Sequence, residues 1–146
     1  ADVSPAALEV AAVNLHRHKL EQRIRLITSD GLSQVQGPYD LILCNPPYVN
    51  ARSMADLPPE FLAEPALALD GNTQGQHDGM DFVRPLLSTL RSHPERYLNP
   101  QGVLVLEIGN EREHFDSAFP ELEVVWLETS AGFDQVMLIT REALLK

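Results

Sequence analysis

Apolar residues recur at helical spacing near the start of the chain, where Leu8, Ala11, Ala12 and Leu15 fall three or four positions apart. Ser4 is a capping residue and Pro5 suits a first helical position, so the pattern predicts a helix over 5–19. Ile24-Arg25-Leu26-Ile27-Thr28 predicts a short strand ending at Ser29-Asp30-Gly31. Residues 39–44 are nearly continuous in apolar character, as in a strand covered on both faces, and end at Asn45-Pro46-Pro47-Tyr48. Residues 49–80 are rich in Pro, Gly, Asp and Asn without a sustained period; they predict a long loop with a short helical turn, and loops of that length in compact domains are generally functional. A helix is expected over 79–97, broken or bent near Pro85 or His93-Pro94, followed by a buried strand over 102–108 that ends at Gly109-Asn110. A short helix over 111–118 precedes strands over 122–128 and 135–140, with Thr129-Ser130-Ala131-Gly132-Phe133-Asp134 as a hairpin connection.

Strands alternating with helices predict an α/β domain with a mostly parallel sheet, to which the last two strands add an antiparallel pair. With 146 residues, 44% of them hydrophobic, the chain has the size of one domain with one core over 1–146, and it carries no internal repeat or linker composition. Eleven Lys and Arg against 21 Asp and Glu give a net charge of −10, which provides no basic stripe to neutralise a phosphate backbone and suits a basic protein partner better than nucleic acid. The single cysteine, Cys44, lies in the apolar run before Asn45 and reads as a structural thiol. No apolar stretch approaches the roughly 18 to 20 residues needed to cross a bilayer, and the amino terminus lacks a signal-peptide plan, so a soluble cytoplasmic protein is expected.

The most informative chemistry is Asn45-Pro46-Pro47-Tyr48. Two prolines after a strand fix an extended turn without competing N–H donors and present an amide and a carbonyl outward. A planar NH2 group has two hydrogens; the Asn45 side-chain oxygen and the Pro46 backbone oxygen can each accept one, while Tyr48 stacks on the plane. Methylating such a nitrogen is hard because its lone pair is delocalised. Two acceptors favour the more pyramidal, electron-rich nitrogen that forms as the methyl arrives, and the proton can leave afterwards, so no strong base is required. Asp2 stands where an acid at a strand end can accept both ribose hydroxyls of a nucleoside cofactor, and Asp30 where a carboxylate can take an adenine amino group; each also suits plain capping or turn duty.

Asp2-Val3-Ser4, Ser29-Asp30-Gly31-Leu32, Asn45-Pro46-Pro47-Tyr48, Glu64-Pro65-Ala66-Leu67-Ala68-Leu69 and Asp78-Gly79-Met80-Asp81 together resemble the HemK/PrmB family of protein-glutamine methyltransferases across essentially the whole chain. The ending, from Val125-Trp126-Leu127-Glu128 through Val136-Met137-Leu138-Ile139-Thr140, is similar to the PrmB branch, which acts on large-subunit ribosomal protein three, rather than to the release-factor branch. The resemblance implies a Rossmann-like class I domain that transfers a methyl group from S-adenosylmethionine to a glutamine side-chain amide. Asn45, Pro46, Pro47 and Tyr48 would hold that amide, and Asp2, Asp30 and Asn45 would border the cofactor. In the family a strand and a glycine-rich turn precede the residue matching Asp2, and a small helical domain precedes those. Neither lies within these residues, which are therefore expected to be a carboxyl-terminal part of the catalytic domain without full cofactor affinity of its own. That strand is central in the family's sheet, so exposed edges on the strands ending at Asp30 and Cys44, and with them a rearranged sheet or a homodimer, are expected.

Two competing readings stay open: an adenine-methylating enzyme of nucleic acid, which needs a flipped base and a positive surface, and a piece that folds without catalysing. The remaining candidates read blandly. His16 and His18 point apart on a helix and complete no zinc pattern, His77 is a polar loop residue, Glu107 is a supporting residue or a backbone partner, and Trp126 and Phe133 are packing residues.

Overall fold

The computed structural model describes residues 1–130 and 132–146. The chain divides into two compact units, Ala1–Gly37 and Pro38–Lys146.

In the first unit, α1 spans Pro5–His18. Ser4 caps it by accepting from the Ala7 amide, and Pro5 occupies the first turn as expected. The helix ends at Lys19 in the left-handed region (φ 55°), with Lys19 N–H bonded to the His16 carbonyl and Leu20 N–H to the Leu15 carbonyl. That pair of bonds is a Schellman stop. The strand anticipated over 24–28 does not form. Its one rung is a parallel bridge between Asp2 and Thr28, closed by Asp2 N–H on the Ile27 carbonyl (3.1 Å) and Ser29 N–H on the Asp2 carbonyl (2.9 Å). A strand needs a partner of its own length, and the partner here turns into a helix cap two residues after Asp2.

The second unit holds a four-stranded sheet in the order β1-β2-β4-β3, built from Tyr39–Cys44, Leu98–Glu107, Val125–Thr129 and Gly132–Thr140 in chain order. β1 runs parallel to β2; β4 is antiparallel to both β2 and β3. This is a mixed α/β sheet with a parallel pair and the expected antiparallel hairpin at its carboxyl end. Of the hairpin connection, Ala131 lies outside the described residues. β1 is an edge strand, as anticipated for the strand ending at Cys44, and the sheet's parallel character rests on its pairing with β2. The covering of both β1 faces read from its apolar run is not found: Leu41 and Leu43 are 49% and 72% exposed.

Alternation along β2 decides where the core sits. Leu104, Leu106 and Ile108 are fully buried while Val103, Val105 and Glu107 are not, and Met137 and Ile139 of β4 join the buried side. Val83, Leu86, Leu87 and Leu90 belong to the buried core from α4 (Val83–Ser92), as do Met80, Tyr97 and Phe115. The helix predicted over 79–97 breaks at His93, and α5 (Pro94–Tyr97) leads into β2, which begins four residues before its predicted start. Pro85 stays inside the first turn of α4, where a missing N–H costs nothing. α6 (Arg112–Ala118) brings Phe115 edge-on to Trp126, so Trp126 is a packing residue as expected. Phe133 is not: it is 66% exposed, because β4 pairs with β2 only from Val136 onward.

The long loop carries three short helical pieces, α2 (Ala51–Ala55), a 3-10 turn (Pro59–Ala63) and α3 (Ala66–Leu69). It is tied at its neck, where Val49 N–H bonds to the Leu69 carbonyl (2.9 Å) and Gly71 N–H to the Val49 carbonyl (3.1 Å). Among the described residues no helix is long and apolar enough to cross a membrane.

Candidate functional site

Leu43 and Cys44 end β1, and the two prolines that follow carry the chain outward as Asn45-Pro46-Pro47-Tyr48. Asn45 is exposed and Pro46 buried. Among the described residues neither the Asn45 side-chain amide nor the Pro46 carbonyl has a hydrogen-bond partner. Beside them is a groove of about 260 Å³ lined by Leu43, Cys44, Asn45, Val105, Glu107 and Val136. Its floor is largely apolar, and Asn45 and Glu107 supply its polar side chains.

Tyr48 is seated from two directions. Its hydroxyl donates to Glu107 Oε1 at 3.4 Å, a long bond, and its ring lies over Gly109, where a Cβ would stand 2.6 Å from the ring edge. Gly109 also has φ +52°, so the turn after β2 needs glycine both for its backbone and for the ring. On the other side Gly79 (φ +79°) packs so closely that a Cβ would meet the Tyr48 carbonyl oxygen at 2.0 Å. Burial, and then the charge and hydrogen bond of Glu107, push the Tyr48 phenol above its ordinary range; Glu111 and Glu64 add to this from further away. The ring therefore stays neutral and donating. Burial also pushes the Cys44 thiol up to about 11, which keeps it protonated and agrees with a structural thiol.

The residue after the neck strand is held as firmly. Asn50 caps α2 by accepting from the Ser53 amide, and its NH2 donates to both oxygens of buried Glu111 at 2.8 Å. Asp78 and Asp81 share Arg84; the direct hydrogen bond from Arg84 holds the Asp78 carboxyl below its usual range. These carboxylates brace the loop where it re-enters α4.

In the first unit, Asp2 and Asp30 are both exposed; Asp2 is itself the partner of Thr28 in the parallel bridge, and Asp30 follows Thr28 by two residues. Asp2 Oδ1 accepts from the Ser4 amide at 2.7 Å. That bond ties Asp2 to Ser4, the residue that caps α1, and the second Asp2 oxygen has no partner among the described residues. Within the second unit, Asn45, Pro46, Pro47 and Tyr48 come together with Glu107, which the sequence left undecided between support and backbone bonding. Gly79 entered only through the Asp78-Gly79-Met80-Asp81 resemblance, and Asn50, Glu111 and Gly109 were given no site role. Their only local signals were positional: Asn50 follows the motif by two residues, and Gly109 ends a buried strand.

Residues 1–75 match the family model of the methyltransferase small domain. The chain is 49% identical over 144 residues to the ribosomal protein uL3 glutamine methyltransferase of Bordetella pertussis, which covers 98% of this chain and 46% of that protein. It is 48% identical over 139 residues to the protein of that name from Bradyrhizobium diazoefficiens, covering 94% and 41% of the two chains. A more distant one, from Francisella tularensis, is 34% identical over 146 residues, covering 99% and 44%. The chain spans about half the length of the curated relatives it matches.

Proposed function

The chain belongs to the methyltransferase small domain family, and we propose that its protein transfers the methyl group of S-adenosylmethionine to the side-chain amide nitrogen of a glutamine, with ribosomal protein uL3 as the acceptor. The observation that carries this reading is a pair of acceptors without a partner among the described residues, Asn45 and the Pro46 carbonyl, on a turn stiffened by two prolines. Asn45 Oδ1 and the Pro46 oxygen take the two amide hydrogens and orient the nitrogen; Tyr48 packs on the amide plane, and Pro47 keeps the turn free of competing donors. As the nitrogen becomes positive, both acceptors interact with it more strongly than with the neutral amide, which lowers the barrier. The proton leaves after the bond forms, so a strong base has no role.

Bound S-adenosylmethionine supplies an electrophilic methyl group. Asp2 fits a ribose hydroxyl, since one carboxylate oxygen is committed to Ser4 and the other has no partner among the described residues, and Asp30 fits the adenine amino group. The net charge of −10 favours a basic protein acceptor over nucleic acid, and a ribosomal protein acceptor places the reaction in the cytoplasm. We place the contact of a homodimer at β1, which ends the sheet among the described residues.

The test is radiolabelled methyl transfer to purified uL3 by the natural full-length protein. Asn45→Ala is expected to lower turnover about 100- to 1,000-fold, the usual effect of losing one transition-state hydrogen-bonding group. A variant as active as the parent would sink the reading. In parallel, calorimetry with Asp2→Ala reports whether that carboxylate holds the cofactor.

A further inference from the structure

The chain leaves the Asn45–Tyr48 motif at Val49 and returns to it at Leu69 and Gly71, and everything between is an excursion closed by the neck bonds already described. None of its three helical pieces contains a buried residue. From 58 to 68 every residue is exposed, including Phe61 at 40%, Leu62 at 69% and Leu67 at 58%. Ordering such a segment costs conformational entropy, and here almost no apolar burial offsets it. Its charge is one-sided as well: Asp56, Glu60, Glu64 and Asp70 lie between Arg52 and His77, with no Lys, Arg or His among them. The excursion also borders the site, for Glu64 is close enough to act electrostatically on the Tyr48 phenol.

An exposed segment in which apolar side chains alternate along the chain with carboxylates fits one kind of partner. Aliphatic stems of Lys and Arg cover apolar surface while their charged heads reach the acids. A protein that sits against an RNA phosphate backbone carries such residues in number. We propose that residues 51–68 form a docking platform for a lysine- or arginine-rich segment of the acceptor protein next to its target glutamine. This rests on the function proposed above. Phe61 and Leu62 supply the apolar contact, and Glu60 and Glu64 set its charge preference.

The experiment uses the natural full-length protein with purified uL3 as probe, and measures binding by calorimetry alongside KM and kcat for methylation. Glu60→Lys, and separately Phe61→Ser with Leu62→Ser, are expected to raise Kd and KM for uL3 about tenfold, the loss typical of one interface anchor. Turnover at saturating uL3 and affinity for S-adenosylmethionine should change less than twofold. The affected positions have no buried side chain, so melting temperatures should stay near the parent's, and the single exposed Glu60→Lys keeps the test valid if the double variant misfolds. Unchanged Kd and KM in both variants overturn the platform and leave the chemistry standing. A parent protein that binds uL3 without methylating it removes the chemistry, while loss of binding in the variants still supports the platform. A parent that neither binds nor methylates uL3 overturns both. Variants that alter only self-association, read by sedimentation, assign the patch to a second copy and overturn the proposal.

Discussion

The phenol of Tyr48 directs its hydroxyl at a carboxylate, and a carboxylate partner leaves a measurable trace. An acid whose neutral form is favoured by a neighbouring negative charge titrates late. Glu107→Gln keeps an oxygen acceptor and removes the charge, so the Tyr48 titration should move down toward its ordinary range; nuclear magnetic resonance of the tyrosine ring carbons follows it, with Tyr48→Phe making the assignment. A titration that does not move would mean that burial alone raises it. Residues of this site differed in how far the sequence revealed them. Asn45, Pro46 and Tyr48 were readable because their roles follow from adjacent residues at a strand end. Glu107 and Gly109 were not, because their partner Tyr48 lies about 60 positions away and meets them only once β1 and β2 pair in parallel.

Among the elements, the stop of α1 offers the clearest single substitution. Lys19 adopts the left-handed conformation that usually belongs to glycine at this point of a Schellman stop. The conformation costs an L-residue roughly 1–2 kcal/mol, partly offset by the greater freedom of glycine in the unfolded chain, so Lys19→Gly should stabilise by about 0.5–1 kcal/mol. An increased urea midpoint with unchanged slope checks this; a lower midpoint would show that the lysine side chain contributes more than the strain removes. The same element shows why α1 was legible to within one residue. Ser4, Pro5 and the helical spacing that follows are local signals. Strand 24–28 was misread because an apolar run cannot show whether a partner of equal length will lie alongside it.

For the molecule as a whole, burial is unequally shared. The large fully buried side chains, Leu104, Leu106, Ile108, Met137 and Phe115 among them, all belong to Pro38–Lys146, whereas Ser29 is the buried residue of Ala1–Gly37. Amide hydrogen exchange should follow that division, with β2 and β4 opening near the global unfolding free energy and α1 opening at a markedly lower one. Equal protection in α1 and β2 would contradict it. The sequence predicted one core with a buried strand over 102–108, and Leu104, Leu106 and Ile108 of that run are in the core. The edge position of the run over 39–44 was expected from the resemblance, but its apolar pattern did not show that Leu41 and Leu43 would be open to solvent.

The neck at Val49, Leu69 and Gly71 also bears on how such a protein can diversify. Because both ends of the excursion are fastened to each other, its interior is a cassette whose length and composition are nearly independent of the turn proposed to hold the amide. Doubling a flexible loop adds only about 0.6 kcal/mol of closure entropy, so recognition can be rewritten there while Asn45, Pro46 and Tyr48 keep their places. Grafting a different excursion onto the same neck is thus a route to redirecting the protein toward another acceptor.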